Sequence, residues 1–183
     1  MSKPHIVKWR SIMTSTQLEK VLLSLVGEFS VAAQLCLRGY VANLTLKNYP
    51  GVDIFAYNPK TARSFSLQVK AALQKNDNSF TATHPFIIIN ATKDELDQAL
   101  DARVKSTYVF VYVSSDKSSM EYFITPATDL KRMVKEEFTR WWDQAEHRRT
   151  LEELAKAKQV LAISITDLQS YKDRWDLLEA SQD

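Results

Sequence analysis

Three residues of this chain bring together the side-chain types of a phosphodiesterase metal site. Asp53 lies at the head of the stretch Gly51-Val52-Asp53-Ile54-Phe55-Ala56-Tyr57, and Gln68-Val69-Lys70 lies in the next apolar stretch, Ser64 to Ala71. If the two stretches pair through a short turn, an acid, an amide and an amine converge at one end of a small sheet. A fourth residue, Glu28, falls within the helix-spaced series Val21, Leu25, Ala32, Leu35. A carboxylate in an apolar stripe is costly unless it is paired or coordinates a metal.

The elements that must position these groups follow from local pattern. Asn58-Pro59-Lys60-Thr61 marks a tight turn, so the two stretches read as a hairpin. Period-2 alternation in the second strand gathers Phe65, Leu67 and Val69 on one face and Ser64, Ser66, Gln68 and Lys70 on the other. Thr16 and Glu19 have capping-box spacing, which predicts a helix over Gln17 to Leu37 that stops at Gly39. Strands are expected over Tyr40–Leu46, Phe86–Asn90, Thr107–Val113 (nearly continuous in β-branched and aromatic residues, hence central) and Glu121–Thr125. Thr92 opens a helix over Lys93–Arg103, and Thr128 or Asp129 opens one through Ala145. A charged helix over Thr150–Lys158, a short strand over Ile163–Ile165 and a last helix over Asp167–Leu178 complete the chain.

Composition sets the frame. The 183 residues are 45% hydrophobic and 25% charged with net charge +2, which suits one globular domain and gives no chain-wide basic signal for nucleic acid. One cysteine, Cys36, excludes an internal disulfide and fits a reducing compartment. No secretory signal is apparent and no apolar run approaches bilayer length, so a cytoplasmic protein with no membrane partner is the expectation. Three glycines in all leave no phosphate-cradling loop. The domain is expected to comprise an irregular arm (1–13), a core (14–125) and a C-terminal helical extension (126–183).

Helix, strand, hairpin with Asp and Gln-x-Lys, helix, strand is the order of the PD-(D/E)XK nuclease core. From about residue 17 to 125 the sequence resembles that superfamily, in particular its small stand-alone bacterial members. The residues that carry the resemblance are Gly27-Glu28-Phe29-Ser30-Val31-Ala32, Gly39-Tyr40, Val52-Asp53 and Gln68-Val69-Lys70, with a weaker match at Tyr171 to Leu178. The resemblance implies an α/β, restriction-endonuclease-like core: a central mixed β-sheet flanked by α-helices. It also implies a metal-dependent endonuclease that hydrolyses DNA phosphodiester bonds and leaves 5′-phosphate ends. Mg²⁺ (or Mn²⁺) would be held by Asp53, by the carbonyl oxygen of Gln68, and by Glu28 directly or through water, since such ions favour oxygen ligands and keep several waters. Lys70 would orient or help deprotonate the attacking water and offset charge on the phosphorane. Gln68 stands where the superfamily usually has Asp or Glu, so the site carries one anion fewer. That departure keeps two other readings open: a nucleic-acid-binding module that has lost catalysis, and a protein-interaction component of a defence or mobile-element system. A homodimer would suit a single-site nuclease that cuts both strands.

The other reactive side chains are weaker candidates. Singly, Asp53 fits a strand-end carboxylate, Glu28 a helix residue paired with Arg38 or Lys70, and Gln68 and Lys70 a solvated strand face. Cys36 is expected in the core beside Leu35 and Leu37. His5, His84 and His147 form no zinc spacing, and only His84 could line the cleft. Trp141, Trp142 and Trp175 could stack bases but are expected to anchor the C-terminal helices. Lys47, Lys60, Arg63, Lys75 and Lys93 are the phosphate-contact candidates, in loops expected near the site.

Overall fold

The computed structural model describes residues 15–45, 51–146 and 150–180; the expected arm over 1–13 and Lys47 lie outside them. Helix α1 (Ser15–Leu37) leads into β1 (Val41–Leu44) and the hairpin β2 (Ile54–Asn58) and β3 (Arg63–Leu73). A short helix α2 (Phe80–Thr83), β4 (Phe86–Ala91) and α3 (Leu96–Arg103) precede β5 (Thr107–Val113) and β6 (Met120–Thr125). Helices α4 (Ala127–Glu146) and α5 (Leu151–Lys156), strand β7 (Gln159–Ile163), a 3₁₀ turn (Gln169–Tyr171) and α6 (Leu177–Ala180) follow. The fold is mixed α/β: a helix and three strands are followed by α2, β4 and α3 before the chain returns to the central sheet at β5.

The central sheet has the order β1-β2-β3-β5-β6, antiparallel throughout except for the parallel pair β3–β5. The register pairs Ile54 with Leu67 and Asn58 with Arg63, which places Asp53 at the open end of the hairpin and Lys60 at its closed end. The turn relies on Asn58, whose Oδ1 accepts from the Lys60 backbone N–H at 2.9 Å, and on a left-handed Ala62 (φ +56°). β4 and β7 form a separate two-stranded sheet, so the short strand expected over Ile163–Ile165 lies earlier, at Gln159–Ile163, and pairs outside the main sheet.

Alternation along β3 and β5 divides the interior into two cores. Phe65, Leu67, Val69, Val109, Val111 and Val113 face α1, with Val31 and Leu35 from the helix and Trp175 from the C-terminal segment. Tyr108 and Phe110 face the other way, into a core shared with Phe86, Ile88, Leu100, Leu130, Val134 and Leu161. β5 is therefore buried on both sides, as its continuous apolar run requires.

Several local expectations are corrected. Thr16 lies inside α1, which is already helical at Ser15, so it does not cap that helix. Reciprocal Thr–Glu capping is found instead at Thr150–Glu153 and Thr92–Glu95. The helix expected over Asp167–Leu178 is broken. Lys172 bridges to Phe123, the Asp173 N–H donates to the Tyr122 carbonyl at 2.8 Å, and Asp173 sits at φ +53°. These contacts lay the segment along β6 and bury Trp175, which a continuous helix could not do. Cys36 is exposed, because α1 turns Val31 and Leu35 to the sheet. By length and composition alone Thr16–Leu37 is long and apolar enough to cross a membrane, as core helices can be, contrary to the expectation that no run comes close. In the fold, one side of this helix packs on β3.

That packing depends on Gly27. A Cβ there would stand 2.8 Å from Ala71 Cβ and 3.3 Å from Val69 Cγ1, so only glycine lets the helix approach the strand this closely. Gly27→Ala is expected to destabilise the protein by about 1–2 kcal/mol, overpacking outweighing the ~1 kcal/mol that alanine gains in a helix. Thermal denaturation would read the loss, and Ala71→Gly in the same chain should recover most of it.

Candidate functional site

The site is built where the hairpin opens. The Asp53 N–H donates to the Leu67 carbonyl at 2.8 Å, so the residue is held in register just before β2 begins. Its side chain turns onto β3: Oδ2 accepts the Val69 backbone N–H at 2.7 Å and the Nε2 of Gln68. With its nitrogen spent on Asp53, Gln68 keeps its Oε1 as an acceptor. Lys70 follows two residues on, on the same face of β3, facing away from the core that holds Phe65, Leu67 and Val69. The structure thus brings Asp53, Gln68 and Lys70 together.

Two clefts adjoin through the Asp53–Gln68 hydrogen bond, one lined by each partner. One, of about 300 Å³, is lined by Lys20, Ser24, Glu28 and Thr45 together with Asp53. The Ser24 hydroxyl donates to Glu28 Oε1 at 3.0 Å, which aims that carboxylate along the helix. Glu28 stands at the edge of the buried side of α1 and is partly exposed, not buried in a stripe as its spacing suggests. The other cleft, of about 560 Å³, is lined by Gln68, Lys70, Asn90, Arg103, Lys105 and Tyr108, among others. Through Lys105 it continues into a third cleft that includes Phe55, Ser66, Thr107 and Thr128.

Burial acts on the ionisable groups of the site. Desolvation raises the Asp53 carboxyl above its usual range, against the opposing Val69 N–H, the Lys70 ammonium and the Gln68 amide. Desolvation also lowers the Lys70 ammonium, and Arg103 lowers it further, while Asp53 acts in the opposite sense. Tyr108, in the same cleft, is raised first by burial. Like-charged Arg103 beside a half-buried Lys70 is an arrangement that stability alone would not select.

The phosphate candidates among the described residues, Lys60, Arg63, Lys75 and Lys93, do not line these clefts. Arg63 binds Glu179, with Nη1 3.5 Å from Oε2 and 2.8 Å from the Glu179 carbonyl, and it joins Tyr40 Oη and Asn58 Nδ2 in holding α6 on the hairpin. Lys60 is at the far turn, Lys75 donates to Thr81 Oγ1 at 2.9 Å, and Lys93 lies 4.2 Å from the centre of the Trp142 ring. His84 stacks on Phe80 at 4.7 Å and is not among the residues lining these clefts. Trp141 and Trp142 pack on Phe138, and Trp175 is buried under Arg38.

Arg103 and Lys105 are cations of the site that local sequence pattern does not reveal. The available signal was the crossover. The β3–β5 register sets Leu67 against Thr107 and Gln68 against Tyr108, so the loop entering β5 must lie beside Ser66, two residues before Gln68.

The donors at this site are oxygens, and few carry charge. Among the described residues no three His, Cys, Asp or Glu side chains cluster as a metal site. Asp53 Oδ1, Gln68 Oε1 and the neighbouring Glu28 nevertheless fit a hard divalent cation of the Mg²⁺ type, which needs one or two carboxylates and keeps its other positions for water or phosphate.

No protein-family model matches the chain, and no curated protein sequence matches it. Among solved structures, a bacterial homing endonuclease, I-Ssp6803I, superposes with TM-score 0.41 and 8% identity over 87% of this chain and 93% of that one. A match at that level assigns no family.

The Asp53 shift has a consequence for stability. Its folded pKa lies above the unfolded value of about 3.9. The cost of the ionised form is therefore absent below that value, grows as pH rises between the two pKa values and is complete above the folded one. Asp53→Asn removes the cost, and Gln68 can turn its amide to meet the new side chain. The variant is expected to melt higher than wild type at pH 7 by a few degrees at most, a small gain because a half-exposed carboxylate is screened by solvent. Below about pH 4 the difference should close.

Proposed function

We propose that the junction of the two clefts is the active site of a metal-dependent endonuclease acting on DNA. The observation that carries this reading is the placement of a hydrogen-bonded Asp53–Gln68 pair beside three cations, Lys70, Arg103 and Lys105, that line one cleft. A polyanion with an electrophilic phosphorus matches that cleft in charge, and the Asp53 side supplies the oxygens for a cation.

Asp53, Gln68 and Glu28 would hold Mg²⁺ or Mn²⁺, which when bound lowers the pKa of water and polarises the phosphate. The protein residues supply the rest. Arg103 and Lys105 hold non-bridging phosphate oxygens and fix the phosphodiester across the mouth of the cleft. Lys70, its pKa lowered by burial and by Arg103, has more neutral amine at working pH than a surface lysine. It can take a proton from the attacking water, or as the ammonium offset charge building on the phosphorane. The hydrogen bonds that Asp53 accepts from Val69 and Gln68 keep its carboxylate from swinging toward Lys70 and closing the site as an internal ion pair.

Gln68 favours one other reading, a DNA-binding module on the same fold without catalysis, because an amide adds no charge for a cation.

Plasmid, junction and single-stranded DNA incubated with Mg²⁺ or Mn²⁺ would decide between them. Wild type is expected to cut, EDTA to abolish cutting, and Asp53→Ala and Lys70→Ala to lose on the order of 10²-fold or more. Salt-dependent binding with no cutting on any substrate would leave the binding module. No binding at all would remove both. The rate should rise with pH to a midpoint below the ~10.4 of an ordinary lysine, and should shift lower still in Asp53→Asn. Arg103→Ala and Lys105→Ala should each weaken duplex binding across sequences and reduce the salt slope by about 0.9 for every phosphate left without its cation.

A further inference from the structure

The side of α1 that faces away from the sheet is apolar, and among the described residues nothing covers it. Leu18, Leu22, Val26, Phe29 and Leu37 are 48, 51, 40, 59 and 80% exposed, and Ala33 and Cys36 beside them are exposed as well. Together they form a stripe spread over about 28 Å of helix and roughly 100° of arc.

The spacing of the stripe reads the same in both directions. Leu18, Leu22, Val26, Phe29, Ala33 and Leu37 are separated by 4, 4, 3, 4 and 4 residues, symmetric about a point between Gly27 and Glu28. A second copy of the helix laid antiparallel on the first, with its dyad at that point, sets Leu18 level with Leu37, Leu22 with Ala33 and Val26 with Phe29. Each pair then occurs twice. That is the self-complementarity of an isologous two-fold interface, in which residue i meets j and j meets i.

We infer that this stripe is the contact by which two copies of the chain pair, with the α1 helices antiparallel. A membrane surface is the poorer match, since a helix lying on lipid carries lysine and arginine along its polar face and α1 has only Lys20 before Arg38 beyond its end. An unrelated partner would have no need of a stripe symmetric about its own midpoint. The pairing is independent of whether the cleft cuts DNA. It would fix two clefts as a pair, because the helix that carries the stripe also carries Glu28 of the Asp53 cleft on another side.

A pair of helices is a small interface, so dissociation on the order of micromolar is expected. Sedimentation velocity at rising concentration should show a monomer–dimer equilibrium. Val26→Lys and Phe29→Lys, both at positions exposed in the single chain, should return the protein to monomer with its circular dichroism unchanged. The register has its own test. Leu18→Cys comes within one residue's rise of the second copy's Cys36, so mild oxidation should give an 18–36 disulfide that peptide mass spectrometry can map. Wild type should form no disulfide, since two Cys36 residues would be about 25 Å apart along the antiparallel helices. A chain that stays monomeric at hundreds of micromolar overturns the proposal, whether its stripe is then free or found on lipid vesicles. So does a dimer that Val26→Lys and Phe29→Lys leave intact, or a Cys36–Cys36 link in wild type.

Discussion

The structure depends on the position of β3, which pairs antiparallel with β2 on one edge and parallel with β5 on the other. The two pairings place everything that follows. Through β2, the strand sets the register that leaves Asp53 opposite the Gln68 end. Through β5, it draws in the loop that carries Lys105 and the end of α3 that carries Arg103. Its alternation sends Phe65, Leu67 and Val69 into the core under α1 and leaves Gln68 and Lys70 on the opposite face. A one-residue slip would exchange those faces and bury the lysine.

The chemistry of the site opposes the stability of the fold. Desolvation raises the Asp53 carboxyl, and desolvation with a neighbouring guanidinium lowers the Lys70 ammonium, so the charged form of each is more costly here than in water. Their attraction offsets part of the cost. The hydrogen bonds from Val69 and Gln68 hold Asp53 apart from a simple ion pair, so the carboxylate stays available. Groups perturbed in this way cluster at functional sites more often than at structural ones. Elsewhere the charged residues behave as structure: Arg63, Tyr40 and Asn58 converge on Glu179, and through it the last turn of the chain holds the tip of the hairpin.

α1 joins these two roles. Its Gly27–Val31–Leu35 side fits closely against β3, its Glu28 reaches the Asp53 cleft, and its third side presents the symmetric apolar stripe. A helix with three different neighbours has no single hydrophobic face. Its composition alone therefore resembles a membrane span, and a one-stripe reading put Glu28 and Cys36 in the wrong surroundings.

The sequence by itself determined what is local. The hairpin, its Asn58 turn, the split of β3 into an apolar and a polar face, the buried β5 and the glycine that ends α1 are consequences of φ/ψ preference and of two- or 3.6-residue periodicity. Both act over a few residues. The meeting of Asp53, Gln68 and Lys70 was legible for the same reason, since a hairpin register is set by its turn. Only the tertiary structure decided the rest. The pairing of β4 with β7 outside the main sheet, the breaking of the last helix at Asp173, the capture of Arg63 by Glu179 and the arrival of Arg103 and Lys105 beside Lys70 join residues far apart in the chain. Their energies come from long-range packing, desolvation and ion pairing, which leave no periodic mark on the sequence.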